Sequence, residues 1–334
     1  MNPLLTSTDL LHLPYTPDLT EGGIAYAIRS LPYTYDRMGG SPFDRLRRVV
    51  AGVAVELAFR RYLGEQNIPF AVKEAAPFTD HGQYDVLLGG HRCDIQSFLL
   101  TRRSQITELR RAPVIVLKAP ALVPSDLHAA DGRSNDDLYL FAFISGLIAA
   151  SQDDLNKAIQ AGNTFHLLHV MPDGWRRPRT WRPLGPLTLK SESDAALVLE
   201  IAGQNESREF LASRIELPPR TRLVVEETFF SISSIHVMSL PQARLGIHSP
   251  AHTETHLIHP HEWGNIWVYG MDILLTGYVQ RAEFAQRASF VQPGARVFQY
   301  DQTRRKNLAM PVADLKPLSG LFEKVREWEA NKAR

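Results

Sequence analysis

The stretch Tyr84-Asp85-Val86-Leu87-Leu88-Gly89-Gly90-His91-Arg92-Cys93-Asp94-Ile95-Gln96-Ser97 decides how the rest of the chain is read. Its apolar run, glycine pair and second apolar run predict a tight β-hairpin turning at Gly89-Gly90. Side chains alternate along a strand, so Asp94 and Gln96 share one face while Cys93, Ile95 and Ser97 share the other. Asp85 lies on the partner strand, within reach of Asp94 across the ladder. Two carboxylates on an otherwise apolar hairpin repel unless a cation lies between them. A hard cation with oxygen ligands, such as magnesium, suits that place.

Outward from the hairpin the chain reads as α/β. Upstream, Arg45 to Gly64 carries Val49, Val53, Leu57 and Ala58 on one face, which predicts an amphipathic helix that includes Glu56. Downstream, Ser104–Arg111 reads as a helix, Pro113–Lys118 as a buried strand and Leu138–Ile144 as another. A polar loop, Ser125–Asp136, separates the two strands; Asp136 and Asp137 fit either supporting acids or a plain loop boundary. Asp153–Ala161 reads as a short helix and Phe165–Met171 as a strand. Beyond Trp175 the texture changes to short β runs between turn signals, from Leu184 to Val237, predicting a small β-sandwich or barrel. After a His/Pro-rich segment the strands Ile266–Tyr269 and Ile273–Val279, a helix Ala282–Ala288 and a final helix Leu318–Ala333 return to α/β. The expected organisation is an irregular arm (1–40) with one short helix around Gly23–Ser30, an α/β core (41–172), an inserted β module (173–240) and a return to the core (241–334).

A glutamate-bearing helix (Gly52-Val53-Ala54-Val55-Glu56), a strand with Asp85 and a strand with Asp94-Ile95-Gln96 occur in that order. This order resembles the PD-(D/E)XK nuclease superfamily. The resemblance covers roughly 45–144, with further core strands after Trp263, and the motif itself is short and degenerate. It implies a restriction-endonuclease-like mixed central sheet flanked by helices, here with the β module inserted. It implies a magnesium-dependent nuclease, manganese substituting, acting on DNA in restriction or defence, with RNA an alternative substrate. Asp85 and Asp94 would hold the metal, helped by the Ile95 carbonyl and Glu56. Gln96 stands where the family has lysine; it can orient a water but is neither a base nor a charge. Losing one such contact costs on the order of 3 kcal/mol, a rate loss of about a hundredfold. A replacement cation would come from Lys118, Arg92 or the pair Arg102-Arg103. The other class of function is a weak or inactive member of this fold that binds nucleic acid or a protein.

The remaining signals are local. Trp175-Arg176-Arg177-Pro178-Arg179-Thr180-Trp181-Arg182 holds four arginines and two tryptophans, suited to phosphates and bases, or to anchoring the β module. Thr303-Arg304-Arg305-Lys306-Asn307 is a second basic run. His248 to Glu262 contains five of the twelve histidines without a zinc-hydrolase spacing, and reads as a solvated loop in preference to a metal or partner site. In bulk the chain is ordinary: 334 residues, 44% hydrophobic, 22% charged, net charge +1, so no global field attracts nucleic acid. The single cysteine, Cys93, excludes an internal disulfide and a cysteine-built zinc cage. The longest apolar run, about 13 residues from Leu138, falls short of the roughly 20 that span a bilayer. No signal peptide is expected and the chain reads as cytoplasmic, with a homodimer needed for double-strand cleavage and a regulatory partner on the β module possible partners of this architecture.

Overall fold

In the computed structural model, residues 4–32, 41–72, 86–130, 132–149, 151–163 and 165–332 are described. The chain divides into two compact units. The α/β unit takes 1–23, 48–148 and 268–334; the β unit takes 24–47 and 149–267.

In chain order, the first half contains β1 (Leu11–Leu13), α1 (Pro17–Ser30), α2 (Pro42–Glu65), β2 (Val86–Leu88), β3 (His91–Leu100), α3 (Arg103–Arg111), β4 (Pro120–Pro124), α4 (Ser125–His128) and β5 (Leu138–Leu147). Next come α5 (Gln152–Gln160), β6 (Leu167–Val170), α6 (Asp173–Arg176), β7 (Thr188–Ser191), β8 (Leu197–Gln204), β9 (Phe210–Leu217) and β10 (Arg222–Val224). The β unit ends with β11 (Ser231–Val237), β12 (Leu245–His248), β13 (His256–Ile258) and β14 (Gly264–Asn265). Then follow β15 (Tyr269–Gln280), α7 (Arg281–Arg287), β16 (Ser289–Val291), β17 (Asn307–Pro311) and α8 (Leu318–Lys332).

The α/β unit is built on a mixed five-stranded sheet in the order β1-β15-β5-β3-β2. The expected hairpin is present: Val86, Leu87 and Leu88 pair with Cys93, Arg92 and His91, around a turn with φ of 58° at Gly89 and 93° at Gly90. Both turn residues occupy the left-handed half of φ space, where glycine is unstrained. A Cβ on Gly89 would also collide with the Trp328 indole of α8. Strand β3 runs parallel to β5 with Asp94 opposite Tyr139, Gln96 opposite Phe141 and Phe98 opposite Phe143. That face packs against α3, α7 and a three-stranded sheet, β16-β17-β4, through Phe98, Leu100, Ile106, Phe141, Phe143 and Phe284. Helix α2 covers the opposite face, where a Cβ on Gly52 would lie 3.4 Å from Ser97 Oγ.

Two local expectations are corrected. Pro113–Lys118, read as a buried strand from its β-branched residues, is a 3-10 helix with Val114 46% exposed. Pro113 at its first position fixes a helical φ, and the run turns the chain from α3 into β4. The amino-terminal arm is also more ordered than expected: β1 pairs with β15, and the helix expected around Gly23–Ser30 is the longer, 14-residue α1.

The β unit holds two antiparallel sheets, β14-β6-β11-β8-β9 and β10-β7-β12-β13. Leu199, Ile201, Ile235 and Val237 of the first sheet share one core with Leu189, Ile247 and Ile258 of the second. The sandwich therefore extends past the expected 173–240, taking in β6 upstream and β12 to β14 downstream. No helix among the described residues is long and apolar enough to cross a membrane.

Candidate functional site

Asp94 sits near the start of β3, and strand alternation aims its carboxylate at the face that carries Tyr139 and Phe141. The group that meets it there is Arg133, from the loop between α4 and β5. The Asp94–Arg133 ion pair is enclosed, the two side chains being 9% and 8% exposed. The loop is clamped on β3 by two further contacts. Arg92 Nη1 donates to the Gly132 carbonyl at 2.6 Å, and His91 Nδ1 lies 3.2 Å from the Asp136 carbonyl oxygen. Within the loop, Asp137 is buried and accepts from the Ser134 amide at 2.8 Å. The Arg281 amide donates to the Asp137 carbonyl at 2.8 Å, and its guanidinium donates to the His128 carbonyl at 2.6 Å. His128 Nδ1 lies 3.0 Å from the Tyr139 hydroxyl. Burial raises the Tyr139 pKa, and burial followed by the nearby Arg281 charge lowers that of His128.

Arg133 is not among Lys118, Arg92 and Arg102-Arg103, the cations expected in place of the family's lysine. It lies 39 residues downstream in a polar Asp/Ser/Gly loop, and no periodic pattern singles it out.

Of the other expected acids, Glu56 does not join Asp94. Asp85 lies outside the described residues. Glu56 is ion-paired with Arg60 one turn along α2. It also follows Gly52 by four residues and so lies on the helix stripe facing Ser97, on the opposite side of the sheet from Asp94 and Gln96. Gln96 does share the Asp94 face, two residues along β3.

These residues were tested as a magnesium site by their donor chemistry. Magnesium takes oxygen ligands in near-octahedral geometry, usually from one or two carboxylates plus waters. Here Asp94, the described carboxylate on that face, is enclosed and bound to the Arg133 guanidinium. Among the described residues no three histidine, cysteine or carboxylate side chains are arranged to hold a metal ion. The described donor set does not fit magnesium.

The expected nucleic-acid residues separate into two kinds. Trp175 is 5% exposed, packed in the β-unit core and stacked on His252 with ring centroids 4.2 Å apart, so it anchors the module and offers no face to a base. Arg176 pairs with Asp173 in the same short helix. Trp181 donates to the Glu206 carbonyl at 2.8 Å and lies under the Arg208 guanidinium at 4.6 Å. Arg179 is exposed. In the α/β unit Arg102 is fully engaged, holding Gln105, Asp301 and the Phe298 carbonyl, while Arg103 is exposed. The second basic run lies in the same unit. There Arg305 pairs with Asp126 at 3.6 Å, and Lys306 sits 3.9 Å over the Phe290 ring, itself 58% exposed.

The histidine segment is not the solvated loop expected. His256 lies on β13 with its Nε2 2.9 Å from Nε2 of His169 on β6, and His169 is buried. Nearby, His166 and His236 stack face to face with centroids 3.7 Å apart. Burial, then the charge of its partner His236, drives the His166 pKa down to about 3; burial, then Arg214, takes His236 down to about 4. The His-x-x-His spacing of His166 and His169 is the signal the sequence carries for this cluster. No family model matches this chain, and comparison with curated proteins and with solved structures gives no significant match.

Proposed function

We propose that this chain is a nuclease-fold protein that binds nucleic acid without cutting it. The observation that carries the reading is the enclosed Asp94–Arg133 pair, which commits the acid at the expected metal position to an internal guanidinium. Support for the fold comes from the element order. A helix (α2) precedes a hairpin, and β3 is followed by a helix (α3) and a parallel neighbour, β5, with α2 and α3 on opposite faces. Support for the ligand comes from the α/β unit surface. Phe290 is an exposed ring bearing Lys306, and Arg103 is exposed nearby in sequence to the Arg102 clamp. Exposed aromatic and cationic groups of this kind suit the bases and phosphates of a single strand. DNA is the first partner to test and RNA the second.

A second reading, the magnesium-dependent endonuclease, is favoured by one observation: Asp94 and Gln96 share a face of β3 at the spacing of the family's acid-x-Lys pair, with glutamine in the lysine's place. Both readings meet in one experiment. Supercoiled plasmid is incubated with the protein and magnesium or manganese, beside Asp94→Ala, while binding of a fluorescent oligonucleotide is followed by anisotropy in EDTA. The expected result is no metal-dependent nicking, with binding that survives EDTA and weakens steeply with salt. Nicking by the natural protein that disappears in Asp94→Ala would overturn the binding reading and establish the nuclease.

A further inference from the structure

The histidine pair between the two sheets of the β unit has the makings of a ligand site. His169 projects from β6 in the five-stranded sheet and His256 from the edge strand β13 of the four-stranded sheet. Their Nε2 atoms face each other at 2.9 Å. On its other side, His169 Nδ1 lies 3.5 Å from the Glu262 carbonyl oxygen. A carbonyl can only accept, so the His169 proton belongs on Nδ1 and its Nε2 accepts from His256 Nε2–H, a proton that shifts to His256 Nδ1 when a metal takes both Nε2 lone pairs. A histidine whose far nitrogen is tied to a carbonyl, leaving the near one as a donor, is oriented as metal-bound histidines are.

We propose that His169 and His256 form a two-histidine seat for a divalent transition-metal ion of the zinc class, water completing the coordination. Two nitrogens bound to one tetrahedral zinc at about 2.0–2.1 Å stand roughly 3.3 Å apart. Opening the present contact by about 0.4 Å admits the ion. The surroundings of the pair are largely aromatic. Trp263 stands edge-on to His169 at 5.9 Å, Trp175 lies 6.4 Å from His256, and the Glu262 carboxylate is turned back to the His259 amide at 2.6 Å. An ion here would staple the two sheets together, because its ligands come from one strand of each. The seat is independent of the nucleic-acid reading.

The test is titration of the metal-stripped full chain with zinc chloride by calorimetry, with thermal unfolding alongside and cobalt(II) as the absorbing probe. His256→Gln is the main variant, because β13 is an edge strand and its loss disturbs the fold least; His169→Gln is the second. The expected result is one zinc per chain and a raised unfolding temperature. In His256→Gln zinc uptake falls at least tenfold while the circular dichroism of the natural chain is retained. Absence of stoichiometric uptake by the natural chain would mean the imidazoles share only a hydrogen bond, and would overturn the proposal. So would uptake that persists unchanged in His256→Gln.

Discussion

The α/β unit and the β unit both bury polar side chains, and they do so on opposite terms. In the first, a carboxylate, Asp94, is met by a guanidinium, Arg133, within an enclosed pair. In the second, five histidines, His166, His169, His236, His252 and His256, have pKa values lowered chiefly by burial, against one, His128, in the α/β unit. Charge answered by charge satisfies both partners inside the fold. Neutral imidazoles facing each other keep a lone pair in play. The α/β unit thus answers its buried acid with a guanidinium, and the β unit pairs neutral imidazoles with each other.

Trp175→Ala should separate the units most strongly. Removing a buried indole costs on the order of 4 kcal/mol, and this one lies in the β-unit core. Chemical denaturation should show the loss, while oligonucleotide affinity at a temperature where the variant is folded stays within twofold. A selective loss of affinity would return Trp175 to the nucleic-acid surface.

Acid should sharpen the contrast next. A buried neutral histidine has a folded pKa below its unfolded value of about 6.5, so its contribution is complete above that pH and is lost as pH falls toward the folded value. For His166 and His236, with folded values of about 3 and about 4, the window opens below neutrality. Each should cost up to about 2 kcal/mol between pH 7 and pH 5. Urea midpoints at the two pH values measure it, and His236→Gln should remove part of the slope. A flat profile would mean that these rings already find water or charge in the folded state.

The smallest effect concerns charge left at the surface of the α/β unit. Lys306→Ala removes the cation over Phe290 and should weaken oligonucleotide binding by about 0.5–1 kcal/mol, with unchanged stability. Anisotropy at low salt reads it, and an unchanged affinity would shift attention from this face to the exposed Arg103.

Much of the architecture is legible in the residues alone. The Gly89-Gly90 hairpin follows from two adjacent residues that tolerate positive φ, and α2, α3, α7 and α8 follow from apolar periodicity. Pro113–Lys118 misleads because a Val-Ile-Val-Leu run favours a strand whenever tertiary context is ignored, whereas the connection from α3 to β4 demands a turn. The extent of the β unit is hidden for a different reason: β6 and β12 to β14 pair across long separations that no local pattern encodes. The candidate site is less legible than the fold. Strand alternation places Asp94 and Gln96 on one face, but Arg133 reaches Asp94 only through the folded loop. His169 and His256 are likewise 87 residues apart and meet only when the two sheets close.

The claim that Asp94 is a structural ion-pair partner is tested most directly by a double-mutant cycle in urea on the natural chain, Asp94→Ala, Arg133→Ala and the double variant. Removing either partner of a buried pair strands the other and should cost about 3 kcal/mol, while the double variant loses much less than the sum. An Asp94→Ala protein as stable as the natural one, with strictly additive effects in the double, would contradict the account and return Asp94 to the role of a metal-binding acid.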